Sequence, residues 1–143
     1  GDNDLDLFVG GRLLPDNYPT PTASYLLRND GGKFTDVTAQ MSEDLVKPGL
    51  IRSALWTDFN NDQQNELVVG SDGGQLVEFR PADATQDTPW GWKLNDGPLA
   101  KLSMPVGGVP VFVDYDSDGD LDLIVGTEAG DLQFYRNKAI EEN

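Results

Sequence analysis

The sequence predicts an all-β fold assembled from consecutive copies of one strand-rich unit. Short apolar runs rich in β-branched and aromatic residues, such as 109–113 and 121–126, end at glycine or at an acidic loop, as strands do. The acidic segment 114–122 recurs at 58–66, an offset of 56 residues. A fixed period of this length is typical of arrays and propellers, which bury a continuous core by stacking neighbouring units.

The most informative segment is 114–122. Five carboxylates occur there at every second position: Asp114, Asp116, Asp118, Asp120 and Asp122. They repel one another and are costly to bury in an apolar core, whereas a calcium ion takes six to eight oxygen ligands at about 2.3–2.6 Å. Gly119, at the sixth position, allows the sharp turn that such a loop needs. The pattern favours a calcium site, and a solvated acidic turn that binds nothing is the alternative.

The residues around this loop distinguish it from a helical calcium site. An EF-hand loop carries a bidentate glutamate at its twelfth position and lies between two helices. Here the twelfth position is Val125, and apolar runs typical of strands flank the loop on both sides. We therefore expect a strand, a calcium loop and a second strand, in this order.

The middle copy of the loop has oxygen-bearing side chains at the same positions. Its residues in this pattern are Asp58, Asn60, Asp62, Gln64 and Glu66. The offset of 56 continues through the next predicted hairpin, where 71–80 aligns with 127–136 and both segments end in arginine. Two differences weaken the match of this copy to the complete loop: Gln63 replaces the turn glycine, and Glu66 is one methylene longer than aspartate.

A third copy opens the chain. Three of its residues align with the last three aspartates of the complete loop: Asp2, Asp4 and Asp6. Its first two ligand positions would precede residue 1, so metal binding by this copy stays open. Gly10 and Arg28 are 18 residues apart, whereas the equivalent Gly126 and Arg136 are 10 apart. The eight inserted residues are rich in proline and predict a protruding loop rather than a strand.

The C-terminal copy of the loop, which begins at Asp114, fits the pattern D-x-[DN]-x-D-G-x-x-D-L-x-V-G. In this it resembles the FG-GAP/VCBS-type repeat, which forms blades of the integrin alpha-subunit propeller and of many secreted bacterial proteins. The resemblance implies four-stranded β-propeller blades, about two and a half of them in an incomplete ring, with calcium between the first two strands of a blade. The implied ligands are Asp114, Asp116, Asp118, the carbonyl of Asp120 and Asp122 in one loop, and Asp58, Asn60, Asp62, the carbonyl of Gln64 and Glu66 in the other.

We expect a single propeller segment made of three repeats. These are a truncated first repeat with its inserted loop and an inter-blade segment (1–48), a second repeat (49–105) and a partial third repeat (106–143). Propellers typically have four to eight blades, and two or three blades alone expose unpaired sheet edges that favour association. The expected partners are therefore the remaining blades of a larger propeller, or further copies that associate through exposed edges. The start inside a calcium loop favours a piece of a larger chain.

The composition of the chain excludes several classes of partner and cofactor. The chain has 10 basic and 25 acidic residues and a net charge of −15, so it lacks the attraction to phosphate on which nucleic-acid binding depends. No apolar run approaches the roughly 18 residues of a transmembrane helix, and we expect no membrane insertion. Without cysteine or histidine, the chain has no disulfides and no ordinary zinc, copper or haem ligands.

These exclusions leave a non-catalytic module outside the cytoplasm. Calcium sites with the strength of extracellular modules, about 10⁻⁴–10⁻³ M, stay empty at cytosolic calcium levels, so we expect an extracellular, cell-surface or periplasmic location. The common nucleophile–base pairs are missing, and we expect a structural role in adhesion or protein assembly rather than an enzyme. The alternative is carbohydrate binding by Trp90 and Trp92, on which sugar rings would stack; packing between blades is the competing role of these tryptophans.

Overall fold

A computed structural model gives the fold of residues 4–81, 92–95, 97–102 and 104–138. These residues form ten strands in three antiparallel sheets. The first sheet contains β1 (Leu7–Val9), β2 (Tyr25–Asp30) and β3 (Lys33–Asp36). The second contains β4 (Ile51–Thr57), β5 (Glu66–Ser71), β6 (Leu76–Pro81) and β7 (Trp92–Asn95). The third contains β8 (Val109–Val113), β9 (Asp122–Gly126) and β10 (Leu132–Tyr135).

Short helical turns connect the sheets. Helix α1 (Thr38–Met41) and a 3₁₀ turn at Glu43–Leu45 lead from the first sheet to the second, and a 3₁₀ turn at Pro98–Lys101 leads to the third. Within each sheet, sequential strands pair as a meander. The all-β prediction is confirmed. The second sheet has four strands and the others have three among the described residues, which form no closed ring, so the propeller blade stays a prediction.

The proline-rich insertion lies between β1 and β2. Residues 10–24 contain turns and no strand, as the sequence predicts. The two ends of this loop are held together, because the backbone N–H of Gly11 donates a 3.0 Å hydrogen bond to the hydroxyl of Ser24. The insertion therefore lengthens one connection without changing the order of the strands.

The three sheets share one pairing register. Leu67 of β5 pairs with Phe79 of β6, and the residues 56 positions later, Leu123 and Tyr135, pair in the third sheet. In the first sheet the corresponding pair is Leu7 and Leu27. Strands β1 to β3 thus occupy the places of β5 to β7, and β8 to β10 those of β4 to β6.

The sheets pack face to face around two apolar cores. The core between the first and second sheets contains Leu26, Val37, Leu45, Ile51, Leu67, Val69 and Phe79. The core between the second and third sheets contains Phe59, Val68, Leu76, Leu99, Met104, Leu123 and Val125. Strand β5 is buried along its whole length, and its side chains alternate between the two cores with the period of two that a strand imposes. The second sheet is therefore covered on both faces.

Candidate metal sites

The loop between β8 and β9 brings three aspartates together. Asp114, Asp116 and Asp118 each offer a carboxylate oxygen, and these atoms lie within 4.8 Å of one another. In an extended segment, residues spaced by two lie on the same face, but Asp114 and Asp118 would be about 13 Å apart along the chain, so the backbone must turn sharply to bring their carboxylates together. It does so at Ser117 and Gly119, whose φ angles are 62° and 93°. This cluster could hold a metal ion.

Backbone N–H groups hold two of the clustered carboxylates in place. Asp114 Oδ2 accepts a 3.3 Å hydrogen bond from the N–H of Gly119, and Asp118 Oδ1 accepts one of 3.1 Å from Asp120. The N–H of Asp120 also lowers the pKa of Asp118 below its usual value, so this carboxylate is ionised. Asp114 Oδ1 is buried and accepts no hydrogen bond from any described residue. A buried carboxylate oxygen without a donor is costly, and a cation would offset that cost.

Asp122 lies outside this cluster and is held by two backbone N–H groups. Its side chain is fully buried, and its Oδ1 and Oδ2 accept hydrogen bonds from the N–H groups of Asn137 (2.8 Å) and Tyr115 (3.2 Å). The predicted ligand thus ties its loop to the chain segment after β10. The side chain of Asp120 is also buried, although the sequence assigned only its carbonyl to the site.

The contact between Asp122 and Asn137 recurs in the first sheet. Asp6 Oδ1 accepts a 2.9 Å hydrogen bond from the N–H of Asn29, and these residues align with Asp122 and Asn137. Asp4 Oδ2 accepts a 2.6 Å hydrogen bond from the N–H of Gly31. Asp2, the third acidic residue predicted for this loop, lies outside the described residues. The carboxylate at the ninth position therefore anchors the loop in both copies.

The middle loop, between β4 and β5, has the same backbone path. Asn61 and Gln63 have φ angles of 59° and 69°, at the positions equivalent to Ser117 and Gly119. Asp58 accepts hydrogen bonds from the N–H groups of Asp62 (3.0 Å) and Gln63 (2.9 Å). Gln63 thus adopts the left-handed conformation that the sequence led us to doubt, at a cost of about 1–2 kcal/mol for a side chain other than glycine.

The other polar residues of the middle loop bond mainly to one another. The amide of Asn60 donates to Asp62 Oδ2 at 3.0 Å, and Asp62 Oδ1 accepts from the N–H of Gln64 at 2.9 Å. Three acidic groups as close as those of the third loop are found nowhere else among the described residues. The middle loop therefore resembles the third in backbone conformation and differs from it in the spacing of its charges.

Glu66 is the most perturbed acid of the middle loop. Its side chain is fully buried, and its pKa is raised from 4.5 to about 7. Burial is the largest cause, the charge of Asp62 acts in the same direction, and the charge of Arg80 opposes both. Glu66 Oε2 has no hydrogen-bond partner among the described residues, and Oε1 is 3.4 Å from the amide nitrogen of Asn60. The residue that aligns with Asn137 is Pro81, which has no N–H to donate. The anchor that Asp122 uses is therefore missing here.

The arginine that ends each repeated hairpin lies close to acidic side chains. Arg136 Nη2 is 2.8 Å from Asp116 Oδ2 and 3.7 Å from Asp118 Oδ2. The equivalent Arg80 pairs with the buried Glu78 and lies 5.7 Å from the ring centroid of Phe59. In the sequence these arginines only mark the end of each repeated hairpin. Arg136 therefore offsets part of the charge of its acidic loop, and the charge of Arg80 acts against that of Glu66.

The carbohydrate alternative depends on Trp90 and Trp92. Trp90 lies outside the described residues, and Trp92 begins β7.

Among the described residues, we find no helix with the length and apolar character that crossing a membrane requires. Comparison of the chain with family models, with curated proteins and with solved structures gives no match.

Proposed function

We propose that this chain is a calcium-binding segment of an extracellular β-propeller that serves adhesion or protein assembly as a structural module rather than an enzyme. The observation that carries the proposal is the cluster of Asp114, Asp116 and Asp118, with their carboxylate oxygens within 4.8 Å of one another. The buried Asp114 Oδ1, which accepts no hydrogen bond from the described residues, supports a cation as its partner.

The donor chemistry of the third loop fits calcium. All of its donors are oxygens, and calcium tolerates the irregular arrangements of a flexible loop, whereas magnesium demands a near-octahedral one and keeps its waters. The residues that would hold the ion are Asp114, Asp116, Asp118, Asp122 and the carbonyl of Asp120. The bound ion would supply positive charge that offsets their repulsion and holds β8 and β9 together.

The middle loop is the second proposed calcium site. The residues that would hold the ion are Asp58, Asn60, Asp62, Glu66 and the carbonyl of Gln64. Its left-handed residues Asn61 and Gln63 give it the backbone path of the third loop. The buried Glu66 Oε2, without a hydrogen-bond partner among the described residues, supports the same conclusion from an independent observation.

The stacked sheets support the propeller part of the proposal. The second sheet has four meandering strands and is covered on both faces, which is the environment of a blade inside a ring. The FG-GAP/VCBS resemblance, the high acidic content and the weak affinity typical of extracellular calcium modules support a location outside the cytoplasm. The proposed partners are neighbouring blades and a protein or polysaccharide ligand.

Calorimetric titration of chelator-treated protein tests this function. We expect heat of binding with calcium at two sites, and a much weaker response with magnesium. Asp114→Asn should remove the third-loop site, because it replaces a carboxylate that has a buried oxygen free for the ion. Asp44→Asn is the matched control, since this exposed aspartate lies in a 3₁₀ turn away from both loops. Equal titrations for both variants and the unaltered protein would contradict the proposal.

A further inference from the structure

The third sheet has an apolar face that no other described segment of the chain covers. We call it the C-terminal face, and it consists of Val109, Val111, Ile124, Leu132 and Phe134. All except the half-buried Ile124 are exposed, and the ring of Tyr115 lies 5.0 Å from that of Phe134. The opposite side of the same sheet packs into the core that it shares with the second sheet. Contiguous exposed apolar patches of this kind mark interaction sites.

The first sheet has a second apolar face at the other end of the stack. We call it the N-terminal face, and it consists of Leu7, Val9, Tyr25, Leu27 and Phe34. Four of these side chains are exposed and Leu27 is half-buried. The other side of this sheet carries Phe8 and Leu26, which pack against the second sheet. The stack therefore ends in an apolar sheet face on both sides.

The alignment of the repeats indicates which surface each end face can pack against. The residues 56 positions before Val111, Ile124 and Leu132 are Leu55, Val68 and Leu76, which belong to the core between the second and third sheets. The C-terminal face is thus the repeat equivalent of the second-sheet face that the third sheet covers.

The N-terminal face corresponds to the other half of the same interface. Leu7, Val9 and Leu27 align with Leu123, Val125 and Tyr135, which cover the second sheet from the third. The contact between the first and second sheets uses the same pairing, because Phe8 and Leu26 align with Ile124 and Phe134. Both internal interfaces therefore join a face of the C-terminal type to a face of the N-terminal type.

We propose that the C-terminal face of one copy of this chain binds the N-terminal face of a second copy, so that the stack of sheets continues from chain to chain. The interface is heterologous, since two different surfaces meet, and a growing stack keeps one open face of each type until a ring closes. The inference rests on sheet packing and not on the calcium sites, so the two can fail separately. It also differs from the association through sheet edges that the sequence led us to expect.

Three exposed valines provide matched variants for the test. Val111→Glu disrupts the C-terminal face, Val9→Glu disrupts the N-terminal face, and Val106→Glu places the same charge on a loop outside both faces. These side chains are 54%, 44% and 64% exposed, so each substitution is compatible with folding. Leu132→Glu and Tyr25→Glu are second variants for the two faces if either valine variant loses its β-sheet circular dichroism.

Sedimentation velocity over a wide concentration range gives the readout. We expect the unaltered chain and Val106→Glu to rise above the 15.6 kDa of one copy, and each face variant alone to stay at that mass. An equal mixture of Val111→Glu and Val9→Glu should form a dimer and nothing larger, because each partner retains the face that the other lacks. A monomeric unaltered chain, a mixture that stays monomeric, or one face variant that still self-associates would overturn the proposal.

Discussion

The side-chain amide of Asn61 donates a 3.1 Å hydrogen bond to the carbonyl oxygen of Gly119. These residues lie in the two different acidic loops, Asn61 in the loop of the second sheet and Gly119 in that of the third. Both residues adopt left-handed backbone conformations, with φ angles of 59° and 93°. The bond therefore joins the two turns that gather the proposed ligands, and it makes the conformation of one loop depend on the other.

The first prediction concerns this link between loops. Asn61→Gly removes the amide, and because asparagine already tolerates a left-handed backbone, little strain is relieved. We therefore expect a loss of about 0.5–1.5 kcal/mol in the free energy of unfolding. Calcium affinity at the third loop should fall by a few fold in a calorimetric titration. A variant with unchanged affinity at both loops would show that the bond has no effect on the sites.

The second prediction concerns Gln63, which has a φ angle of 69°. Gln63→Gly should raise the free energy of unfolding by up to about 1 kcal/mol in urea, because relief of the left-handed strain exceeds the added entropy of the unfolded chain. The neighbouring Gln64→Gly is the control, since Gln64 has no positive φ angle to relieve and glycine there should destabilise. Equal losses for both variants would contradict the prediction.

The third prediction concerns the pH dependence of the metal-free protein. Because the pKa of Glu66 rises from 4.5 unfolded to about 7 folded, the protonated form favours folding. Its stabilising contribution is complete below pH 4.5 and is lost as the pH rises through 7, by roughly 3 kcal/mol at 1.36 kcal/mol per pKa unit. In chelator at pH 8, Glu66→Gln should unfold at higher urea than the unaltered chain, and at pH 4.5 the two should coincide.

Two comparisons make the test of Glu66 specific. Glu43→Gln, at an exposed glutamate of the 3₁₀ turn, should leave the pH dependence of stability unchanged. In excess calcium, Glu66→Gln should lose its advantage at pH 8, because the carboxylate that is costly to bury in the metal-free protein is a ligand in the loaded one. An advantage that persists in calcium would remove Glu66 from the proposed site.

The fourth prediction ranks the two sites. The third loop has the side-chain carboxylates of Asp114, Asp116, Asp118 and Asp122, whereas the middle loop has three and the amide of Asn60. Greater ligand charge attracts the ion more strongly, so stepwise addition of chelator should empty the middle site first. To assign each release to a loop, calcium is replaced by a luminescent lanthanide and the chelator titration is repeated on Asp114→Asn and on Asp58→Asn. Each variant retains only one of the two loops, so its loss of emission reports that loop. Earlier release from the third loop would reverse the ranking.

Much of the strand pattern could be predicted from local sequence. Apolar alternation, glycine at strand ends and the offset of 56 residues predict the positions of β5 and β9 and the loops before them. The insertion between Gly10 and Arg28 was predicted as a loop from its prolines, and the structure agrees. These features depend on backbone preferences within a few residues, which the sequence contains directly.

The details of the sites depend on contacts that local patterns do not contain. The hydrogen bond from Asn137 to Asp122 forms because β10 returns beside the loop, a consequence of tertiary pairing. The sequence does contain a signal for this bond. The arginine that ends the hairpin is followed by asparagine in two copies, at Asn29 and Asn137, and by Pro81 in the middle copy. The burial of Glu66 likewise follows from packing between the second and third sheets.

The central claim is that calcium holds this fold together, and its most direct test is thermal unfolding in excess calcium and in excess chelator. Binding to the folded state alone adds about 2.7 kcal/mol when the ion is at roughly a hundredfold excess over Kd. We predict a melting temperature several degrees higher in calcium, with most of this gain lost in Asp116→Ala. Asp116→Ala also removes the ion pair of Asp116 with Arg136. The difference in melting temperature between this variant and the unaltered chain in chelator measures the loss of the ion pair alone. Superimposable melting curves in calcium and in chelator would contradict the claim.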